Sequence, residues 1–457
     1  MPGLNASLAT ALSGLAAEQA AMEATANNVA NVNTPGYSRE VPVLVTSDPV
    51  IQDPLTFGTG VTLKNIESVR DPILESQIQN ETQTEGQLSA LVSALSQTET
   101  QFSSNTGDIG TSISKFFDSV NQLSTSPADL SLRQNLLTAA NNVASSFNVA
   151  SNQLASQRVS LDQSLQQTVG EINQLTQQIA QLNQQISNLQ NVGRNAGTFL
   201  DQRTQLIDQL SSFIDVSVIP SNNSLTLTTA TGTALVSGNQ SFQLSTQPDS
   251  SGTQHIYSQG SDITSTLVSG QLGGILQARD QHIPSIQSQL DTLASGFATA
   301  VNKVQTSGYD LNGNPSTGTN LFTIPATLPG SASAISVAIT DPSLIAASSD
   351  ATSGSNGNAE SLYALRNQSV INGQSPTAYY SGIVFNIGNL SANAKAQQDA
   401  SNLVLQQLND QRAAVSGVSL DEEAANLMRY QQAYAASAQV ISAINQMMQV
   451  VINMKNS

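Results

Sequence analysis

The 457-residue chain has no cysteine, no tryptophan, two histidines and aromatic residues at only 4%. Without cysteine there is no disulfide and no thiol nucleophile. With only two histidines, a zinc site of the usual Cys/His kind is disfavoured too. Charged residues make up 10%, against about 25% in ordinary globular chains. Those present lean one way, with 15 Lys and Arg against 32 Asp and Glu, a net charge of −17. That balance disfavours nucleic acid, whose binding is led by cations neutralising phosphates. It equally disfavours an anionic membrane surface. Hydrophobic residues reach 39%, below the usual range of about 45–50%. Gln, Asn, Ser, Thr and Ala fill the gap, and few aromatics argue against an enzyme with a deep aromatic pocket. A cysteine-free chain also fits passage between compartments in the unfolded state.

Long apolar runs are missing as well. No stretch approaches about 20 apolar residues, so no membrane insertion is expected. The first basic residue is Arg39, so the start lacks the positive region of a cleaved secretory signal. Catalytic motifs are absent: no G-x-S-x-G, HExxH, G-x-x-x-x-G-K or CxxC occurs. His255 and His282 read as surface or structural histidines. Gly58-Thr59-Gly60 has Leu63 where a third glycine is needed, and reads as a turn. Asp310-Leu311-Asn312-Gly313-Asn314 opens like a calcium loop. An EF-hand, however, wants Gly sixth and Glu twelfth, and here those positions hold Pro315 and Leu321. An Asn-Gly turn is the better reading. Asp421-Glu422-Glu423 suits the positive end of a helix dipole. No catalytic, cofactor-binding or metal residue is therefore nominated.

What the chain has is helical periodicity at both ends. Leu8, Leu15, Met22 and Val29 lie seven apart, flanked by Leu4, Leu12 and Ala26. Leu420, Leu427, Tyr434, Ile441 and Met448 repeat that spacing at the other end, with Ala424, Ala438 and Ile452 as a second column. Ser419 and Glu422 form a capping box before it. Narrow seams with polar backs cannot bury enough surface alone, so the two ends are expected to pair, with each other or with neighbouring copies. Between them, Leu74, Glu81, Leu88, Leu95 and Phe102 mark one helix. Residues 130–190 predict the longest, ending in the 3,4,3,4,3 seam Ile172, Leu175, Ile179, Leu182, Ile186, Leu189. That seam is expected to be intramolecular core with Gln and Asn outside. A shorter helix is predicted over 199–213. From Asp215 to Tyr257 the period changes to two, predicting a small antiparallel β unit. Ile283 to Val304 is another helix, 307–380 a second β or irregular layer, and helix returns from about Ala392.

The length favours about three domains. The expected division is a terminal coiled coil from 1–40 and 415–457, a helical bundle from 41–205, 270–305 and 385–414, and a β-rich outer domain from 206–269 and 306–384. The fold class is mainly α with a β-rich part.

Ala26-Asn27-Asn28-Val29-Ala30-Asn31-Val32-Asn33-Thr34-Pro35-Gly36-Tyr37-Ser38-Arg39 resembles the N-terminal signature of bacterial flagellar axial proteins, the rod, hook and hook-associated proteins. Ser416 to Tyr434, reading SGVSLDEEAANLMRYQQAY, is similar to the C-terminal signature of the hook-associated branch. Leu200-Asp201-Gln202-Arg203, Ile207 to Leu210, Gly273 to Asp280 and Gly308 to Asn314 agree with it. The resemblance covers essentially the whole chain and is weakest at 320–380.

It implies an extracellular structural subunit of the flagellum, placed between hook and filament. Such a subunit is exported unfolded by the type III apparatus, without a cleaved signal peptide. The partners implied are further copies in a ring, the hook protein, the second hook–filament junction protein, and a cytoplasmic export chaperone on the C-terminal segment. Leu8, Leu15, Met22, Val29, Leu420, Leu427, Tyr434, Ile441 and Met448 are the expected assembly residues. The rival readings are another axial protein (a hook or distal rod subunit), a surface hydrolase on a flagellar scaffold, and a secreted coiled-coil effector.

Overall fold

A computed structural model describes residues 2–456 apart from 53–54, 103–107, 222–223 and 353. Helix α1 (Pro2–Ala30) leads into a long hairpin. Its strands β1 (Glu40–Thr46) and β4 (Val61–Ser68) pair antiparallel, and the short pair β2 (Val50–Gln52) and β3 (Leu55–Phe57) lies between them in sequence. Four helices follow, α2 (Pro72–Phe102), α3 (Ile109–Thr125), α4 (Leu130–Asn191) and α5 (Gly197–Phe213). Seven short strands come next: β5 (Ser217–Ser221), β6 (Ser224–Thr228), β7 (Ala234–Ser237), β8 (Gln240–Ser241), β9 (Leu244–Pro248), β10 (Gln254–Ser258) and β11 (Ser261–Asp262). They form one sheet of order β5-β6-β7-β8 and another of order β11-β10-β9. Helix α6 (Gly270–Gln277) passes through a π-turn at Ala278–His282 into α7 (Ile283–Gln305). The rest is β12 (Phe322–Thr323), α8 (Ser331–Ala334), β13 (Ser336–Val337), α9 (Gly357–Ala364), α10 (Pro376–Ser416) and α11 (Leu420–Asn456).

At 62 residues, α4 is the spine. Asp129 starts it by accepting from the Ser131 and Leu132 amides. Gly193, at φ +68, ends it in the left-handed conformation that glycine adopts freely. Two large apolar cores sit on this spine. The first joins α3, the first half of α4, α7, residues 321–371 and the start of α10. Phe116, Phe117, Phe297 and Phe322 stack within it at centroid distances of 5.4 to 6.1 Å. The second joins the second half of α4, α5, the strands β5–β10 and α6.

The polar residues of α4 turn out to be structural. Asn173 donates to the Leu244 carbonyl and accepts from its amide, both at 2.8 Å. Asn183, 1% exposed, donates to the Gly238 carbonyl. The expected seam is rotated accordingly. Ile172, Ile179 and Ile186 are buried together with Thr176 and Asn183, whereas Leu175, Leu182 and Leu189 are half-exposed. Two strand backbones need side-chain partners here, and asparagine supplies them where leucine cannot.

Residues 306–384 do not share the core of residues 206–269, so the outer domain expected from both divides between the two cores. Side chains on α4 and α7 hold the later segment. Arg133 donates to the Pro127 and Ile345 carbonyls at 2.7 and 2.6 Å. Asp291 accepts from the Gly330 and Ala332 amides. Among its described residues the segment contains one two-residue strand pair rather than a β layer. Helix α10 begins at Pro376, well before Ala392. Ser375 caps it and proline occupies its first turn; Gly382 and Gly388 had hidden that start in the sequence.

Candidate assembly interface

The chain ends pack on each other. Helix α1 runs along α11, with its other side against β1 and β4. The pair is antiparallel. Gly14 lies beside Ser437, while Arg39, just past α1, meets Glu422 at 2.7 Å.

On α11 the inward face is Leu427, Tyr434, Ile441 and Met448 with a second column of Tyr430, Ser437, Ile444 and Val451. Each of these is at least half-buried. The expected second column, Ala424, Ala438 and Ile452, is exposed. A heptad seam fills either i+3 or i+4, and this one takes i+3. Leu420 is also 53% exposed, and the buried position of that turn is Glu423.

On α1 the expected column is half-buried at Leu8, Leu15 and Met22 and exposed at Val29. The fully buried residues are instead Ala17, Ala21, Ala24, Thr25 and Asn28. The helix is squeezed between α11 and a hairpin, and only small side chains fit both contacts. Its leucines are left partly open.

A second apolar column on α11 lies open to solvent. Ala436, Val440, Ala443, Met447, Val450 and Met454 are spaced 4,3,4,3,4 and all are exposed. Exposure is 49% or more at Val440, Met447, Val450 and Met454. Helices with one apolar stripe are common surface helices; one with two stripes and a single partner has a face left to cover.

Where α1 meets the body, the signature residues form a polar knot. Asn28 donates to the Glu40 carbonyl at 2.9 Å and accepts from the Glu40 amide at 2.8 Å and the Tyr37 hydroxyl at 2.9 Å. Glu40 accepts from Asn27 and from Asn195 at 3.0 Å each. Asp201 of α5 accepts from the Ser38 hydroxyl at 2.7 Å and from Arg70 at 2.6 Å. The Arg39 amide donates to the Ser416 carbonyl at 2.9 Å. Burial, with Glu40, Asp201 and Glu423 nearby, pushes the Tyr37 phenol well up, so it stays a neutral donor. Glu422 binds Arg39 instead of closing the capping box. The Ser419 half of that box is a long 3.5 Å contact to the Glu422 amide. The sequence had marked Asn27, Asn28, Tyr37, Ser38, Arg39 and Asp201 only as signature text, and Glu40, Arg70 and Asn195 not at all, because the partners lie up to 163 positions away.

Beside the knot lies a cleft of about 500 Å³, between the 31–38 loop, the start of α2, α5 and the end of α10. Arg412 reaches into it, 3.4 Å from Asp208 and 3.7 Å from Glu75.

His255 sits between Asp262 at 2.8 Å and Asp249 at 3.7 Å, carboxylates that also cap their own turns. Asp310 accepts from the Asn312 and Asn314 amides at 2.8 Å, closing an Asx turn on itself. Among the described residues, no group of three or more His, Cys, Asp or Glu is placed to hold a metal ion. Nor is any helix among them long and apolar enough to cross a membrane.

Comparisons with known proteins span nearly the whole chain. The flagellar hook-associated protein FlgK helical domain matches residues 95–322. The flagella basal body rod protein family matches 8–37, and the C-terminal family of the basal body rod proteins FlgEFG matches 411–454. Flagellar hook-associated protein 1 of Bacillus subtilis is 30% identical over 98% of this chain and 97% of its own length. That of Escherichia coli is 28% identical over 97% and 99%. The solved structure of the flagellar hook junction protein FlgK from Burkholderia pseudomallei shares the fold, with a TM-score of 0.68 over 74% of this chain and all of that one, at 21% identity.

Proposed function

Because the chain belongs to the flagellar hook-associated protein 1 family, structural proteins of the hook–filament junction, we propose that it joins hook to filament as a ring-forming subunit and catalyses nothing. As a member of that family it is a flagellar component on the outside of the cell, associating with other axial proteins. Its neighbours in this reading are copies of itself, the hook protein on one side and the second junction protein on the other. It leaves the cell through the type III apparatus without a cleaved signal, and an export chaperone holds the C-terminal segment beforehand.

The observation that carries this reading is the second apolar column of α11, Ala436 to Val450, which is exposed. With Leu420, Val29 and the half-open Leu8 and Leu15 it gives the terminal pair apolar surface on several sides. Neighbouring copies supply the cover, and Leu427, Tyr434, Ile441 and Met448 hold the pair together inside each subunit. Domain roles follow: 1–40 with 415–457 assemble the ring, and the two-core body faces outward.

Electron microscopy of a strain lacking the protein tests the role. Complete hooks without filaments, and flagellin shed into the medium, are expected. Missing or unlimited hooks would assign a different axial role. Complementation with Val440→Asp plus Met447→Asp tests the surface. These changes should leave the purified monomer folded and still give bare hooks; normal filaments would refute the assembly role of that column.

A further inference from the structure

Two carboxylates of the cleft beside the polar knot, Glu75 and Asp208, share one guanidinium, because the other cation on its lining, Arg70, is engaged by Asp201. Asp208 of α5 faces Glu75 of α2 and Arg412 of α10, with Gln79 of α2 donating to it at 3.4 Å. Glu75 faces Arg412, and beyond it Arg70 and Asp201. Arg70 is already engaged by Asp201 at 2.6 Å. Arg203 of α5 is turned away to Asn183. The loop contributes Tyr37, which stays neutral. One guanidinium therefore serves two carboxylates, and the buried Oε2 of Glu75 has it only at 3.7 Å, beyond hydrogen-bond reach. Arg412 stands one helical turn before Ser416, whose carbonyl holds Arg39 and from which the chain turns into α11.

We propose that Glu75, Asp208 and Arg412 form a proton-operated clasp, which fastens the end of α10 to α5 and α2 while a proton is held between the carboxylates and loosens it when both are ionised. Burial, and after it Glu75, pushes the Asp208 carboxyl up to about 6. Burial also raises Glu75. The closed cleft thus binds a proton more tightly than the open one. Its contribution is complete below the ordinary carboxyl value of 3.8 and is lost as pH rises through about 6. The clasp adjusts how firmly the terminal helices are carried by the body, and it acts within one chain, so its test does not depend on the assembly role.

Hydrogen exchange in the purified monomer, corrected for the intrinsic pH dependence, reads the end of α10 directly. With Asp208 at about 6 in the closed cleft and the ordinary 3.8 as the limit for a fully solvated carboxyl, protection of residues 408–417 should be up to about tenfold higher at pH 5 than at pH 7.5. Asp208→Asn, which mimics the protonated side chain, should hold the high protection at both pH values. Glu75→Gln removes the facing charge and should shrink the ratio. A wild-type ratio below twofold overturns the clasp. So does a tenfold ratio that survives in Asp208→Asn or, if that variant does not fold, in Glu75→Gln.

Discussion

Two glycines decide how closely neighbours approach α2. A Cβ at Gly274 of α6 would overlap the Gln87 carbonyl oxygen of α2, and one at Gly86 of α2 the Ser212 carbonyl oxygen of α5. Both neighbours are backbone, which cannot swing aside as a side chain can. Gly274→Ala is therefore expected to lower stability by about 1–3 kcal/mol, the usual cost of an overfilled contact. The loss exceeds what alanine gains in helix propensity, about 1 kcal/mol. Urea unfolding measures it, and an unchanged midpoint would mean that α6 and α2 can separate freely. Gly273-Gly274 stood out in the sequence only as part of a family likeness. The physical reason is visible once two helix backbones are seen in contact.

At the scale of elements, the two heptad patterns look alike in sequence and differ in what covers them. Ile179 on α4 is fully buried beneath α5 and the sheet. Leu427 on α11 is half-buried against a helix that itself rests mainly on α11 and one hairpin. Ile179→Asp places an unpaired charge in a dry core and should cost several kcal/mol, seen as a large drop in monomer melting temperature. Leu427→Asp should scarcely move it, because the terminal pair alone gains too little to hold the global fold. Equal losses from the two changes would mean that the terminal pair supports the global fold as much as the α4 core does. The same comparison explains what was legible. Periodicity located α1, α2, α4, α7 and α11, since a long stripe at 3.5–3.6 spacing has few other readings. It did not give the rotation of α4, where Asn173 and Asn183 serve strand backbones distant in sequence, nor the i+3 choice on α11. It also missed the start of α10, where a cap and a proline precede a glycine-interrupted run. Asn28, Tyr37 and Asp201 of the knot were visible as residues but not as a site, because nothing local says which carboxylate meets which loop.

For the whole molecule the question is how two cores on one spine behave as a unit. Leu161 packs against both cores and against a third, smaller cluster of Leu91, Ala94, Leu95, Ala278 and Ala394. One residue later, Asp162 binds Arg279 at 2.6 Å. Arg279 is 1% exposed in the π-turn between α6, which belongs to the second core, and α7, which belongs to the first. It also donates to the Gln254 carbonyl of β10 at 2.6 Å and to Asp280 at 2.7 Å. A π-turn widens the helix by one residue, and here it aims a guanidinium back at the spine and at the start of β10 together. The chain crosses between cores along α4 and again at this turn, and Arg279 ties the two crossings. Removing it leaves the largely buried Asp162 without its cation, a change that typically costs about 3–5 kcal/mol. Because the pair lies at the boundary, the loss should appear as weakened coupling rather than as a uniform shift. Calorimetry of the monomer should show a single main transition for the native chain. Arg279→Ala should split it in two, with the β-containing core, deprived of the contact to Gln254, melting first. If the variant instead melts in one transition at a lower temperature, the cores are coupled chiefly through the continuous helix α4, and the ion pair adds stability without adding cooperativity.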